Sequence, residues 1–132
     1  MQDITWKYVK TLQSESAVED FEKANNVSFP QDMKECIKAN NGGRPDRKFF
    51  DTDKAKERVF KTLLSFNETD IENIYKFFPI VRNTVPDLLP FASDPFGNFF
   101  CVKENRIVLL MHETGAIEEV ADSFSHFLSK LY

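Results

Sequence analysis

Hydrophobic residues recur at helical spacing near the start of the chain. The pattern predicts a helix over 17–25 and a second helix that opens at Phe29-Pro30, since proline is tolerated in a first helical turn. Asn and Gly residues at 40–43 reach left-handed backbone angles at little cost, so they are expected to end the second helix. The residues around Trp6 show only a weak helical period, which predicts a short opening helix.

Two further helices are predicted in the second half of the chain. The first follows Asn67 or Thr69, either of which can cap it, and is expected to end at Pro79. Its stripe has the i, i+3, i+4, i+7 spacing of an amphipathic helix and consists of Ile71, Ile74, Tyr75 and Phe78. The second is capped by Asp122 or Ser123. Its stripe consists of Phe124, Phe127, Leu128 and Leu131.

Alternating or continuous apolar runs predict five strands, at 59–66, 88–93, 99–103, 106–111 and 117–120. Prolines interrupt the region of the second strand, so that strand is expected to be short or at a sheet edge. The turn chemistry of 94–98 and the short link after 103 predict an antiparallel meander, with 106–111 as a central strand. The order of elements predicts an α+β fold with a mainly antiparallel sheet and helices packed on one face.

Length and composition fit one globular unit. The 132 residues, 42% of them hydrophobic, are enough to bury a core without disulfides or metal, so residues 1–132 are expected to form a single domain. The two cysteines fall in a predicted helix and a predicted strand and are expected to be buried thiols. No stretch approaches the roughly 18 apolar residues of a membrane span. A cytoplasmic location without membrane contact is therefore expected.

Charge is distributed unevenly along the chain. Residues 44–61 hold seven Lys/Arg against four Asp/Glu, and the remainder holds ten against seventeen. The acidic bulk of the chain argues against nucleic-acid binding, which usually requires a basic face. The basic segment could contact an acidic partner or nucleic acid, but its charges alternate in sign, which favours a solvated loop.

Four acidic residues stand between positions 112 and 122 without any Lys or Arg among them: Glu113, Glu118, Glu119 and Asp122. Two interpretations are open. The stretch is either an ordinary solvated turn and helix N-terminus, where acids are favoured, or an acidic surface that is steered to a basic partner. A nuclease active site, which must hold phosphates, is such a partner.

Side chains suited to catalysis do not form a recognisable set. Asp94, His112 and Asp122 fall near predicted strand ends, but no activated nucleophile accompanies them. Asp94 is expected to bond its own turn. His112-Glu113 lacks the second histidine of a zinc motif, so neither catalysis, a metal nor a cofactor is expected.

Landmarks along nearly the whole chain resemble the SUKH superfamily, the Smi/Knr-type domain. They are Trp6, Phe29-Pro30, Asn41-Gly42-Gly43, the stretch from Leu89 to Asp94, Gly97-Asn98, Ala121 to Phe124, and Phe127-Leu128. The resemblance implies an α+β domain without enzymatic activity. In bacterial members such a domain protects the cell by binding a polymorphic toxin, often a nuclease or a deaminase.

The leading hypothesis is thus an immunity protein that binds and neutralises a cognate toxin, which is expected to be a nuclease. A regulatory scaffold in cell-wall or stress signalling is the alternative that the resemblance allows. Interface affinity usually comes from a few buried anchors, and aromatic residues in polar loops are the candidates for this role. The predicted partner-contacting residues are Phe49, Phe50, Asp94, Phe96 and the four acids from Glu113 to Asp122.

Overall fold

The computed structural model describes residues 4–132. The helices in this range are α1 (Ala17–Asn25), α2 (Gln31–Ala39), α3 (Ile74–Thr84) and α4 (Phe124–Lys130). The strands are β1 (Trp6–Lys7), β2 (Arg44–Pro45), β3 (Phe49–Phe50), β4 (Arg58–Val59), β5 (Thr62–Leu63), β6 (Leu89–Ser93), β7 (Phe99–Lys103), β8 (Arg106–Leu110) and β9 (Ile117–Ala121). The fold is α+β, as predicted. Within the described range, no helix has the length and apolar character needed to cross a membrane.

One five-stranded antiparallel sheet organises the molecule, in the order β5-β6-β7-β8-β9. The predicted meander is confirmed, since β6, β7 and β8 pair consecutively. The apolar run of β8 lies between β7 and β9 and buries side chains on both faces, with Leu109 in one core and Val108 in the other. Its prediction as a central strand is also confirmed.

Helices cover both faces of the sheet, which corrects the expectation of a single covered face. Helices α1, α2 and α4 share the larger core, where the ring centroids of Phe100 and Phe127 are 5.6 Å apart. Helix α3 packs Val81 and Phe77 against the opposite face, with the Phe77 ring 5.0 Å from that of Phe99. Because successive strand residues point to opposite faces, the neighbours Phe99 and Phe100 anchor different helices.

Helix α3 begins later and ends later than its periodicity predicted. Asn73 caps it by accepting a hydrogen bond from the Lys76 amide at 2.8 Å. The helix then continues through Pro79. A proline removes one intrahelical hydrogen bond, and burial of Val81 beyond it stabilises the later turns. Ile71 therefore precedes the helix and is 84% exposed.

Strands on both sides of α3 in the sequence also differ from prediction. Strand β5 is only two residues long, because residues 58–59 pair with 49–50 and not with the main sheet. Strand β6 is accordingly an interior strand between β5 and β7, and a register shift after Pro90 accommodates the proline. The opening segment is not a helix, since Trp6 and Lys7 pair with β2.

Candidate protein-binding surface

Glu118 points inward, away from the acidic surface on which it was expected. It is 6% exposed, and its carboxylate accepts hydrogen bonds from Arg58 Nε at 2.7 Å, Arg58 Nη2 at 2.6 Å and Thr52 Oγ1 at 2.6 Å. Burial raises the pKa of Glu118, but the hydrogen bonds from Arg58 and Thr52 outweigh it, so the pKa lies below its ordinary value. The expectation that Glu118 is a surface acid is wrong, because its carboxylate is buried and is already paired with Arg58.

The other three acids of the stretch are exposed but do not lie together. Glu119 forms an ion pair with Arg106. Glu113 precedes β9 and Asp122 follows it, and the five residues of an extended strand span about 17 Å. The four acids therefore do not form one acidic surface. A role of Glu113, Glu119 and Asp122 in partner binding stays a prediction.

The turn at 94–98 is held by Asp94, as predicted. Its Oδ1 accepts hydrogen bonds from the amides of Phe96 and Asn98, both at 2.8 Å, and its Oδ2 accepts one from Asn98 Nδ2 at 2.9 Å. Asp94 is 6% exposed, so its carboxylate is occupied by the turn. Phe96 stands at the tip and is 68% exposed.

The three candidate aromatic anchors have different environments. Phe50 is fully buried, with the rings of Phe100 and Phe127 at 5.5 and 5.3 Å. Phe49 is half-buried and pairs with Tyr132 through two backbone hydrogen bonds of 2.8 and 3.0 Å. The expectation of an exposed Phe50 is wrong, since that residue belongs to the core. Phe96 is the candidate whose ring is free to contact a partner.

The possible acid-base residues are separated. His112 lies beside the 94–98 turn and donates its amide hydrogen to Asn98 Oδ1 at 3.0 Å. Asp122 lies beyond the far end of β9, where its amide donates to His126 Nδ1 at 3.4 Å. Asp94 and His112 thus share one end of the sheet, and Asp122 lies at the other.

Neither cysteine is suited to nucleophilic chemistry. Burial raises the pKa of the Cys36 thiol to about 11 and raises that of Cys101 further. Because the thiolate is the reactive form, both side chains are unreactive near neutral pH. Across residues 4–132, no three His, Cys, Asp or Glu side chains are grouped so as to hold a metal ion.

A groove that the sequence did not indicate lies around Arg44. Two clefts of about 600 and 440 Å³ share Arg44 and Lys61 in their walls. The larger extends to Ile71 and the smaller to Pro95, the neighbour of Phe96. We call this surface the Arg44 groove and define it by Lys7, Tyr8, Lys10, Arg44, Lys48, Lys61 and Ile71.

Tyr8 stands at the rim of the Arg44 groove in an unusual conformation. Its φ is 57°, a left-handed value that costs a bulky residue about 1–2 kcal/mol. Its side chain is 72% exposed, and the Arg44 guanidinium lies 5.8 Å from the ring centroid. The fold thus holds a large aromatic ring in solvent, beside a positive charge.

Buried amide side chains hold the segment that carries Tyr8. Asn41 is 1% exposed; its Nδ2 donates to Lys10 O at 2.9 Å and to Ser65 Oγ at 3.0 Å, and its Oδ1 accepts from the Phe66 amide at 2.8 Å. Its backbone carbonyl accepts from the Lys10 amide at 2.8 Å. The Asn-Gly-Gly motif therefore does more than end α2, because it fixes one wall of the groove.

Asn67 secures the continuation of the same segment. Its Oδ1 accepts from the Gln13 amide at 2.8 Å and its Nδ2 donates to Thr11 O at 2.9 Å. It was predicted as a possible cap of α3, but that role belongs to Asn73. Asn67 instead joins the opening segment to the loop before the helix.

Sequence spacing missed this surface for identifiable reasons. Lys10, Arg44 and Lys61 are separated by at least 17 positions along the chain. They come together through the pairing of β1 with β2 and through the hydrogen bond from the Leu63 amide to the Gly43 carbonyl. Ile71 was assigned to a buried helical stripe. Asparagine is a common N-cap residue, so assigning the cap to Asn73 would have placed Ile71 outside the helix.

The fold and the exposed groove define an α+β domain with a surface suited to contact with another macromolecule. A model of the SMI1 / KNR4 family (SUKH-1) matches residues 13–130. The chain therefore belongs to the SMI1 / KNR4 family (SUKH-1), as its landmarks indicated. No curated protein matches the chain.

Proposed function

We propose that this chain is an immunity protein that binds and neutralises a cognate toxin, without catalysing a reaction, in the cytoplasm. Membership of the SMI1 / KNR4 family (SUKH-1) over residues 13–130 supports this class of function. The observation that carries the proposal is the exposure of large apolar side chains beside a charged groove: Tyr8 at 72%, Ile71 at 84% and Phe96 at 68%. Aromatic and apolar anchors with a polar rim are typical of protein interfaces.

Several side chains that could take part in catalysis have structural roles, which supports binding over catalysis. Glu118 is committed to Arg58 and Asp94 to its own turn. Both thiols have raised pKa values. An enzyme requires a group that is free to touch substrate, and these side chains have structural partners instead.

A nuclease is the first class of toxin to test, as the resemblance implies. The original physical support for it was a concentrated acidic surface, which the fold does not form. The choice of a nuclease therefore rests on the resemblance alone, and a deaminase toxin is the second class to test.

Co-expression with a toxin encoded beside the gene for this chain tests the proposal. We expect the chain to restore growth and to form a stoichiometric complex with the inactivated toxin domain in size-exclusion chromatography. A Phe100→Ala variant is the loss-of-fold control, because Phe100 is fully buried. Absence of both rescue and complex for the unchanged chain contradicts the proposal.

The regulatory scaffold is separated from the immunity protein by a second readout. A scaffold in cell-wall signalling predicts that deletion of the gene changes resistance to cell-wall stress while toxin sensitivity stays the same. The immunity function predicts the reverse pattern. The two deletion phenotypes are measured in the same strain, with and without toxin expression.

A further inference from the structure

The Arg44 groove carries excess positive charge on a chain whose net charge is −4. Five Lys/Arg side chains line its two clefts, against three acids: Asp46, Asp70 and Glu72. The balance of the groove is thus opposite in sign to that of the whole chain. Such a reversal produces a local potential that attracts an acidic partner.

The three acids in the walls are already occupied by the protein. Asp46 accepts a hydrogen bond from the Thr5 amide at 3.1 Å, and Asp70 accepts one from Ser65 Oγ at 2.5 Å. Glu72 forms an ion pair with Lys61 at 3.2 Å. Each of these carboxylates therefore already has a partner within the protein.

Most of the basic groups lack such a partner. Within residues 4–132, Lys7, Lys10, Arg44 and Lys48 form no ion pair with a carboxylate. Arg44 lies beside the Tyr8 ring, and Lys48 lies over the Phe49 ring at 5.5 Å. Because it is not paired with a carboxylate among the described residues, the Arg44 guanidinium offers two donors that can bind a carboxylate of a partner through two hydrogen bonds.

Apolar anchors flank these positive charges. Tyr8 lines the smaller cleft and Ile71 the larger, and Arg44 lines both. Left-handed backbone strain in a bulky residue persists where surrounding structure imposes it and is common at binding sites. Tyr8 has both this strain and an exposed ring, which a purely structural residue does not require.

We infer that the Arg44 groove receives an acidic segment of the toxin, with Arg44 binding a carboxylate and with Tyr8 and Ile71 packing against apolar side chains that flank it. The inference rests on the proposed function, because it names the surface through which the toxin is bound. It also reverses the expected polarity, since the basic side of the interface belongs to this chain.

A protein segment suits this groove better than a nucleic acid. Nucleic-acid binding depends on an extended basic face. The five Lys/Arg side chains of the two clefts form only a small basic patch, and the rest of this chain is acidic. Spaced carboxylates and apolar side chains of a protein loop match the alternating lining.

Matched variants test the inference against the inactivated toxin domain. Arg44→Glu and Tyr8→Gly alter the groove, whereas Lys23→Glu and Ile80→Ala make changes of the same kind at exposed positions outside it. We expect Arg44→Glu and Tyr8→Gly to weaken binding at least about tenfold each and the two controls to change it less than about twofold. Glycine accepts the left-handed angle of Tyr8, so the urea midpoint of Tyr8→Gly should stay close to that of the unchanged chain.

The outcomes separate this inference from the proposed function. If the unchanged chain binds the toxin and the groove variants bind equally well, the toxin does not bind in the Arg44 groove, but the immunity function stands. If the unchanged chain does not bind, the proposed function itself fails. A fluorescent 20-nucleotide RNA or DNA that binds the unchanged chain and is released by Arg44→Glu, with toxin binding unaltered, also overturns the inference.

Discussion

Arg58 donates two hydrogen bonds to the carboxylate of Glu118, from Nε at 2.7 Å and from Nη2 at 2.6 Å. The pair joins β4, which begins at Arg58, to the edge strand β9 of the main sheet. Glu118 is 6% exposed, so loss of the arginine leaves a carboxylate that water reaches poorly. This ion pair therefore ties the short β3-β4 sheet to the main sheet.

Replacement of Glu118 should therefore destabilise the fold. We expect Glu118→Gln to lower the free energy of unfolding by about 2 kcal/mol, because charge-assisted hydrogen bonds contribute about 1.5–3 kcal/mol. Urea denaturation measures the change. Glu119→Gln is the matched control: its ion pair with Arg106 is exposed, and such pairs contribute at most about 1 kcal/mol. Equal losses for the two variants would contradict the role assigned to Glu118.

The lowered pKa of Glu118 predicts a pH dependence of stability. A glutamate in the unfolded chain has a pKa of about 4.3, and the folded value lies below it. The contribution of Glu118 is thus present above about pH 4.3 and is lost as the pH falls through the folded pKa. The stability difference between the unchanged chain and Glu118→Gln should be largest near pH 7 and shrink at pH 3. A stability difference that grows as the pH falls would show that folding does not lower the pKa of Glu118.

Asn41 should be essential to the opening segment. Asn41→Ala leaves the Phe66 amide and the Lys10 carbonyl without their partners, which should cost about 2–3 kcal/mol of unfolding free energy. Hydrogen exchange of the Lys10 amide should also become faster, because loss of the side-chain bond to the Lys10 carbonyl loosens the segment that donates to the backbone carbonyl of residue 41. Asn25→Ala, which removes one hydrogen bond to Phe21 O, serves as the control. An unchanged exchange rate of the Lys10 amide in Asn41→Ala would show that the Asn41 side chain does not hold the opening segment in place.

Phe50 and Phe96 should respond oppositely to truncation. Phe50→Ala removes a fully buried ring and should destabilise the protein by about 3–5 kcal/mol. Phe96→Ala removes a ring that is 68% exposed and should change stability by less than about 0.5 kcal/mol. Thermal unfolding of both variants measures this contrast. A large loss of stability in Phe96→Ala would show that its ring packs on the protein.

The main sheet was predictable because its strands carry a local signal. Val108 and Leu109 belong to a run that is apolar on both faces, and such a run has few alternatives to a central strand. The turn at Asp94 was equally readable, since its hydrogen bonds close within four residues. Contacts between residues this close in sequence can be predicted without knowledge of the rest of the fold.

The opening segment and the groove were not predictable because their contacts are distant in sequence. Trp6 forms a strand through pairing with Pro45, and no periodicity within two residues can reveal that. The acidic stretch failed for the same reason: the partner of Glu118 is Arg58, 60 positions away. Closeness in sequence said nothing about which acids share a surface.

Hydrogen exchange of the chain, free and bound to its toxin domain, shows which segments the toxin covers. We expect slower exchange on binding in 7–10, 44–48 and 69–72, the segments that form the Arg44 groove, with little change along β9. Slower exchange confined to 111–122 would place the interface on the acidic stretch and would contradict toxin binding in the Arg44 groove. No slowing anywhere at saturating toxin would contradict binding itself.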